Sequence, residues 1–308
     1  MSERVFSDLR GAGFEARAVP VSRLVELEQD ISSLKDRGLI DSEVFELYLK
    51  DFRFSPPESL PHARSLVIMA FPQPKLRLRF SYQGFLAEAI VPPTYANAPA
   101  VMASAKAALE ASLGQGARSE RAVLPLKALA ARTGLARYGR NNITYIESHG
   151  SFHRLVAFFT EPDLGRDDWQ EREALPACAT CRLCQEACPA SVIAEDRFLI
   201  RVERCLTFHN EMPSERPFPA AVGQQWHNAI VGCMRCQEAC PYDRQVRGWV
   251  EEGEVFSEEE TRYLLKGDFS GPRAKAMEEK LQRCGLDLTI FPRNLEALLN
   301  ADGRAKRP

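Results

Sequence analysis

The 308-residue sequence predicts an α+β protein, and three observations predict it. Apolar runs with strand and helix periods alternate through about the first 165 residues. Eight of the nine cysteines crowd between Cys178 and Cys240. Beyond them the helical pattern returns. The organisation expected is an α/β domain over residues 1–165, a cysteine-rich domain over 166–250 and a short helical C-terminal segment over 251–308.

Each element has its own signal. From Val21 to Tyr48, Leu24, Leu27, Ile31, Leu34, Ile40, Val44 and Leu47 recur at helix-like intervals, so the first 60 residues read as mainly helical until Pro56-Pro57 and Pro61. Ser65–Phe71 is a short apolar run closed by Pro72 and Pro74, as in a buried strand. Val91-Pro-Pro-Thr-Tyr95 is a loop by its prolines. Ala100–Leu113 reads as a helix ended by Gly114 and Gly116, and Pro125–Thr133 as a shorter one stopped by Gly134. Ile143–Ile146 and Leu155–Thr160 read as strands on either side of Ser148, His149 and Gly150. The acidic, Trp-containing stretch Gly165–Glu173 reads as a linker. After Cys240, Ser257-Glu-Glu-Glu260 is a capping-box pattern opening a helix to Leu265. Helices over Pro272–Cys284 and Pro292–Leu299 follow, each opening near a proline.

Composition narrows the class. Hydrophobic residues make up 45% and charged residues 27%, as in an ordinary soluble globular protein. The net charge of −2 and pI near 6.3 argue against a nucleic-acid partner; Arg304, Lys306 and Arg307 read as a solvated basic end. The N-terminus lacks the apolar core of a secretory signal, and no run is long enough to span a bilayer. A cytoplasmic protein with no membrane partner is expected, its thiols reduced and its cysteines metal ligands rather than disulfides.

The cysteine spacing names the metal chemistry. Cys178-x2-Cys181-x2-Cys184-x3-Cys188-Pro189 is the bacterial ferredoxin run, in which three thiolates bind one [4Fe–4S] cluster and the fourth reaches a second. Cys181-Arg-Leu-Cys-Gln-Glu-Ala-Cys-Pro189 is repeated, with two substitutions, as Cys233-Met-Arg-Cys-Gln-Glu-Ala-Cys-Pro241. The second copy lacks a counterpart of Cys178, and Cys205 is the one spare thiol in the region. A ferredoxin-like domain with two clusters follows. One takes Cys178, Cys181, Cys184 and Cys240, the other Cys188, Cys205, Cys233 and Cys236. Zinc, which also uses Cys-x2-Cys pairs, fits the three-ligand run and the Cys-Pro ends less well. Cys284 reads as a small buried hydrophobe. His149, His153, His209 and His227 read as surface or satisfied core residues, each also able to tune a cluster or move a proton.

These residues resemble the epoxyqueuosine reductase family, cobalamin-dependent iron–sulfur enzymes related to reductive dehalogenases. The resemblance runs over about residues 55–245. It includes Glu203-Arg-Cys-Leu206, Leu129-Ala-Ala-Arg-Thr-Gly-Leu135, Tyr138-Gly-Arg-Asn141, Gly150-Ser-Phe152 and Leu60-Pro-His-Ala-Arg-Ser-Leu-Val67. It implies that the N-terminal domain binds a base-off corrinoid, with Gly134, Tyr138, Gly139, Arg140, Asn141 and Asn142 lying on it. The chain departs from the family in three places. The family's proton-donating Asp is missing, and Glu120, between Arg118 and Arg121, falls nearest its position. Val91–Tyr95 replaces an aromatic-rich loop. The C-terminal repeats that hold tRNA are reduced to about one, Pro272–Leu299.

Two functions follow from different classes. One is a corrinoid-dependent reductase of a small molecule, supplied by an external low-potential donor of the ferredoxin or flavodoxin type. The other is an electron-transfer protein that serves a redox partner protein and performs no substrate chemistry.

Overall fold

The computed structural model describes residues 2–195 and 197–301, so Arg304, Lys306 and Arg307 lie outside the described residues. The chain opens with helix α1 (Ser2–Gly11), strand β1 (Glu15–Pro20), helices α2 (Leu24–Asp36) and α3 (Ser42–Val44), and strands β2 (Ser65–Pro72), β3 (Lys75–Tyr82) and β4 (Phe85–Val91). Helix α4 (Ala98–Leu113), strand β5 (Ser119–Arg121), helix α5 (Leu126–Arg132) and strands β6 (Arg137–Tyr138), β7 (Thr144–Tyr145) and β8 (His153–Thr160) come next. The cysteine region carries short helices α6 (Leu183–Glu186), α7 (Leu206–Glu211) and α8 (Arg235–Glu238). Strand β9 (Val250–Phe256) and helices α9 (Glu258–Lys266), α10 (Pro272–Gln282) and α11 (Phe291–Ala301) complete it.

Two compact units result, one of Met1–Pro72, Ala100–Arg182 and Glu195–Ile200, the other of Gln73–Pro99, Leu183–Ala194 and Arg201–Pro308. This division is interleaved rather than consecutive. Residues 73–99 fall in the second unit, and the Cys178–Arg182 segment in the first.

The first unit is built on an antiparallel sheet of order β1-β2-β8-β5. Central β2 is buried along Ser65–Ala70, which explains its unbroken apolar run. Leu66, Ile68 and Ala70 face a core shared with Leu24 and Leu27 of α2 and Leu129 of α5. Val67 and Met69 face one shared with Val5 and Leu9 of α1 and Leu109 of α4. Helices thus cover both faces of the sheet. Strand β1 lies in the stretch expected to be helical; Ala16 and Ala18 alternate inward against β2 instead.

The stretch expected as a linker is bound to this unit. The Ala18 N–H donates to Asp168 Oδ2 at 2.9 Å, and the Asp168 N–H donates to the Ala18 carbonyl at 3.0 Å, covering the β1 edge. Trp169 lies 5.8 Å from the Arg23 guanidinium and 5.3 Å from that of Arg132. Arg132 holds both oxygens of Asp30 at 2.8 Å, with both side chains nearly buried, and Arg172 approaches the same carboxylate at 3.5 Å. Asp30→Ala removes the acceptor these two guanidinium groups share, while Arg132 keeps Glu171 at 3.0 Å. It is expected to cost about 1–3 kcal/mol in urea unfolding, the range for losing hydrogen bonds to a charged group.

The second unit holds a sheet of order β4-β3-β9, with β3 antiparallel to β4 and parallel to β9. Leu76, Leu78 and Phe80 point into a core with Phe256, Leu264, Met277, Leu281, Phe291 and Leu295, so the C-terminal helices pack on the β3–β4 hairpin. Phe80 stacks on Phe256 at 4.7 Å. The expected capping box forms at α9: Ser257 Oγ accepts from the Glu260 N–H at 3.2 Å, and the Ser257 N–H donates to Glu260 Oε2 at 2.8 Å. Among the described residues no helix is long and apolar enough to cross a membrane.

Candidate metal centre

The repeated Cys-Gln-Glu-Ala-Cys-Pro segments fold alike. Each makes one turn of helix, α6 or α8, around its first cysteine, Cys184 or Cys236, and the two turns pack together. Their backbone bonds correspond position by position. Ala187 N–H donates to Leu183 O at 3.0 Å and Cys188 N–H to Gln185 O at 3.2 Å; Ala239 N–H donates to Arg235 O at 3.2 Å and Cys240 N–H to Gln237 O at 3.0 Å. Pro189 and Pro241 have no N–H to continue the helix. Lys75, which lies in no recognisable motif, is buried and donates to Glu238 Oε1 of α8 at 3.3 Å.

All nine cysteines are free thiols. Cys178 and Cys181 belong to the first unit, and Cys184, Cys188, Cys205, Cys233, Cys236 and Cys240 to the second. Cys205 is the N-cap residue of α7. Burial pushes its thiol up, and Cys188 adds to this. Burial likewise pushes the Cys233 thiol up to about 11, with the charges of Cys205 and Cys188 adding. Cys205 and Cys233 of the expected second set therefore lie within electrostatic reach of Cys188, and bound metal would hold such thiols as thiolates. Among the described residues no three His, Cys, Asp or Glu side chains close on a single metal ion. A cubane spreads its ligands over separate irons, so its thiolates need not close so tightly. Cys284 is buried in the core of the second unit.

The histidines divide. His153 is buried in the first unit; its Nδ1–H donates to the Gly150 carbonyl at 3.1 Å, leaving Nε2 to accept from Thr144 Oγ1 at 3.2 Å. Burial lowers its pKa to about 3. His149 Nδ1 meets Ser148 Oγ at 2.6 Å, and its buried Nε2 has no partner among the described residues. His209 is buried on α7. His227 is buried against Phe218, and burial followed by the charges of Arg293 and Arg235 lowers its pKa to about 4.

The segment after α5 carries the residues that the resemblance would lay on a corrinoid. Gly134 adopts φ +65° and ends α5; a Cβ there would stand 2.8 Å from the Gln170 side chain. A Cβ on Gly139 would stand 2.5 Å from the Tyr145 ring. Both glycines thus have a reason within the protein. Asn141 Nδ2 donates to Tyr145 Oη at 2.8 Å, and Tyr138 is buried edge-on against Phe198 at 4.9 Å. Arg140 and Asn142 differ. Arg140 donates from Nη2 to the Cys178 carbonyl while its Nε is buried without a partner among the described residues. Asn142 accepts from Lys127 Nζ at 3.2 Å while its Nδ2 is likewise buried and unpartnered. Two unused donors remain for acceptor groups such as those at a corrinoid's edge. Glu120 stands on edge strand β5 opposite Phe159, half-buried, with no side-chain hydrogen bond or ion pair among the described residues. Arg118 pairs with Glu161 at 3.4 Å instead.

Residues 177–243, which include all eight ligand candidates, match the model of a 4Fe-4S double cluster binding domain. An epoxyqueuosine reductase of Gloeobacter violaceus is 30% identical over 129 residues, covering 42% of this chain and 39% of that protein. The structure of the Streptococcus thermophilus epoxyqueuosine reductase superposes with a TM-score of 0.68 at 18% identity, covering 98% of this chain and 81% of that one. A further epoxyqueuosine reductase structure, crystallised with an epoxyqueuosine-modified tRNA-Tyr stem loop, gives 0.66 at 18% identity, with 98% and 82% covered.

The chain is epoxyqueuosine reductase-like in its fold and its double-cluster segment. The chain spans about two-fifths of the length of the curated relatives it matches. Its fold is mixed α and β with a helical C-terminus, and residues 177–243 are similar to a double 4Fe-4S cluster binding domain. Gly134→Ala, which adds a Cβ to a left-handed residue already touching Gln170, is expected to lower stability by about 1–2 kcal/mol, read as a lower midpoint in thermal unfolding.

Proposed function

We propose that this chain is a corrinoid-dependent iron–sulfur reductase of a small molecule, with electrons from an external low-potential donor passing through two [4Fe–4S] clusters to cobalt. The observation that carries the reading is the eight-cysteine constellation inside a segment matching a double-cluster domain, on a chain with the fold of epoxyqueuosine reductases. Cys178, Cys181, Cys184 and Cys240 hold one cluster, and Cys188, Cys205, Cys233 and Cys236 the other. When bound, the clusters supply single electrons and the corrinoid a reducing metal centre. Arg140 Nε and Asn142 Nδ2 would hold the corrinoid's acceptor groups, supported by their buried, unpartnered state. Gly134, Tyr138, Gly139 and Asn141 shape the turn that presents them. Glu120 is the candidate proton donor.

The substrate class rests on charge. Four cations of the C-terminal helices stand in ion pairs: Arg262 with Glu258 at 2.7 Å, Lys280 with Glu260 at 2.9 Å, Arg283 with Glu254 at 2.8 Å, and Arg273 with Glu259. Phosphate contacts draw on clustered cations; these pairings, with a net charge of −2, support a small molecule rather than tRNA.

The test is anaerobic reconstitution with cobalamin followed by gel filtration. Corrinoid absorbance co-eluting at about one per chain is expected, and its loss in an Arg140→Ala, Asn142→Ala variant. Absence of co-eluting corrinoid at any ratio overturns the corrinoid assignment. Turnover of an epoxyqueuosine-bearing tRNA stem loop overturns the substrate class.

A further inference from the structure

The loops carrying Cys205 and Cys233 are joined, within the second unit, by two buried asparagines. Asn294 of α11 is 1% exposed and donates from Nδ2 to the carbonyls of Asn210 at 2.7 Å and Ile230 at 2.8 Å. Asn210, fully buried, donates in turn from Nδ2 to the carbonyl of Gly232 at 2.8 Å. Asn210 sits on α7, the helix that Cys205 caps, and Gly232 directly precedes Cys233.

Arg293 sets the direction of the Asn294 amide. Its Nε and Nη2 donate to Asn294 Oδ1 at 3.0 and 2.8 Å, so Nδ2 is the end left to face the two carbonyls. The same guanidinium donates to the carbonyls of His209 at 2.6 Å, Met212 at 2.9 Å, Pro213 at 3.3 Å and Arg216. It thereby satisfies the end of α7, whose last carbonyls have no partner within the helix.

We propose that Asn294, oriented by Arg293, is a positioning residue for the cluster held by Cys188, Cys205, Cys233 and Cys236. The inference rests on the cluster assignment above. Helix α11 fixes the separation of the Cys205 and Cys233 backbones through one amide that bonds both supporting segments. Groups behind the ligands fix ligand orientation and tune a metal site without touching it. Removing the amide cuts both bonds through α11 and leaves the Asn210–Gly232 bond as the remaining tie, with every thiol in place.

The experiment uses the full chain, purified and reconstituted without oxygen. Wild-type protein with about eight irons per chain, as two cubanes require, establishes the starting point; a wild type without clusters overturns the cluster assignment itself, separately from this inference. Asn294→Leu is expected to keep about four irons, with the low-temperature EPR spectrum of a single reduced cluster. Leu298→Ala removes a buried apolar side chain from the same helix and leaves the amides alone; it is expected to keep both clusters. Asn294→Leu with full iron and unchanged EPR spectrum and reduction potentials overturns the inference. Equal iron loss in Leu298→Ala also overturns it, because general loosening of α11 would then suffice. Should Asn294→Leu fail to fold, Asn294→Asp, of the same shape but without the Nδ2 donor, decides by the same readings.

Discussion

Replacing Cys205 by alanine is expected to lower the iron content of the anaerobic protein from about eight to about four atoms per chain, with a parallel loss of acid-labile sulfide. The expectation follows from ligand supply. The second Cys-rich loop has Val231-Gly232 where the first has residues leading from Cys178, so it brings one thiolate too few. Cys205 stands at the head of α7, and its thiol senses Cys188 while Cys233 senses both. Only the second set loses a member. Cys284→Ala is the matching control, because Cys284 lies in the apolar core of the second unit and its loss is expected to leave iron unchanged. Full iron in Cys205→Ala would assign the fourth ligand elsewhere.

Acid is expected to destabilise the fold well before most carboxylates titrate. His153 is held neutral by burial, with a pKa of about 3 in the folded chain against an ordinary 6.5. Between those values the unfolded chain binds a proton that the folded chain refuses. Its contribution is therefore fully present above pH 6.5 and lost progressively as pH falls towards 3, at about 1.4 kcal/mol per pH unit. His149, lowered by burial against the opposing pull of Glu15, and His227, lowered to about 4, act with the same sign. From pH 7 to pH 5, His153 alone removes about 2 kcal/mol. Urea titrations at the two pH values measure the drop, and His153→Asn is expected to shrink it by that amount. An unchanged drop in the variant would place the acid sensitivity on other groups.

Legibility varied with how local each signal was. The α9 capping box and the buried run of β2 lie within a few residues, so their physics is written in adjacent letters. Strand β9, Val-Glu-Glu-Gly-Glu-Val-Phe256, carries no apolar alternation and buries only its last residue. It forms because β3 offers a parallel edge and because Arg77 and Arg79 meet Glu252 at 3.2 and 2.6 Å. That partner lies 175 residues away. Strand β3 does alternate, with Leu76, Leu78 and Phe80 inward, and was open to reading from its period of two. Strand β1 was hidden by its alanines, which favour helix until a sheet edge is present.

The site divides along the same line. Cysteine spacing is local, so the ligand candidates were readable at once. The reasons for Gly134 and Gly139 were not, because Gln170 and the Tyr145 ring that crowd them come from other segments. Nor was the role of Asn294, which bonds carbonyls 84 and 64 residues distant. Buried donors left without partners, such as Arg140 Nε and Asn142 Nδ2, can be recognised only once the backbone has closed around them.

Iron and acid-labile sulfide in protein purified under strict exclusion of oxygen decide whether these thiols hold two cubanes. About eight of each per chain, with an EPR signal on reduction, are expected. Protein that carries zinc in these thiols, or that takes up no iron on reconstitution, would contradict the cluster assignment.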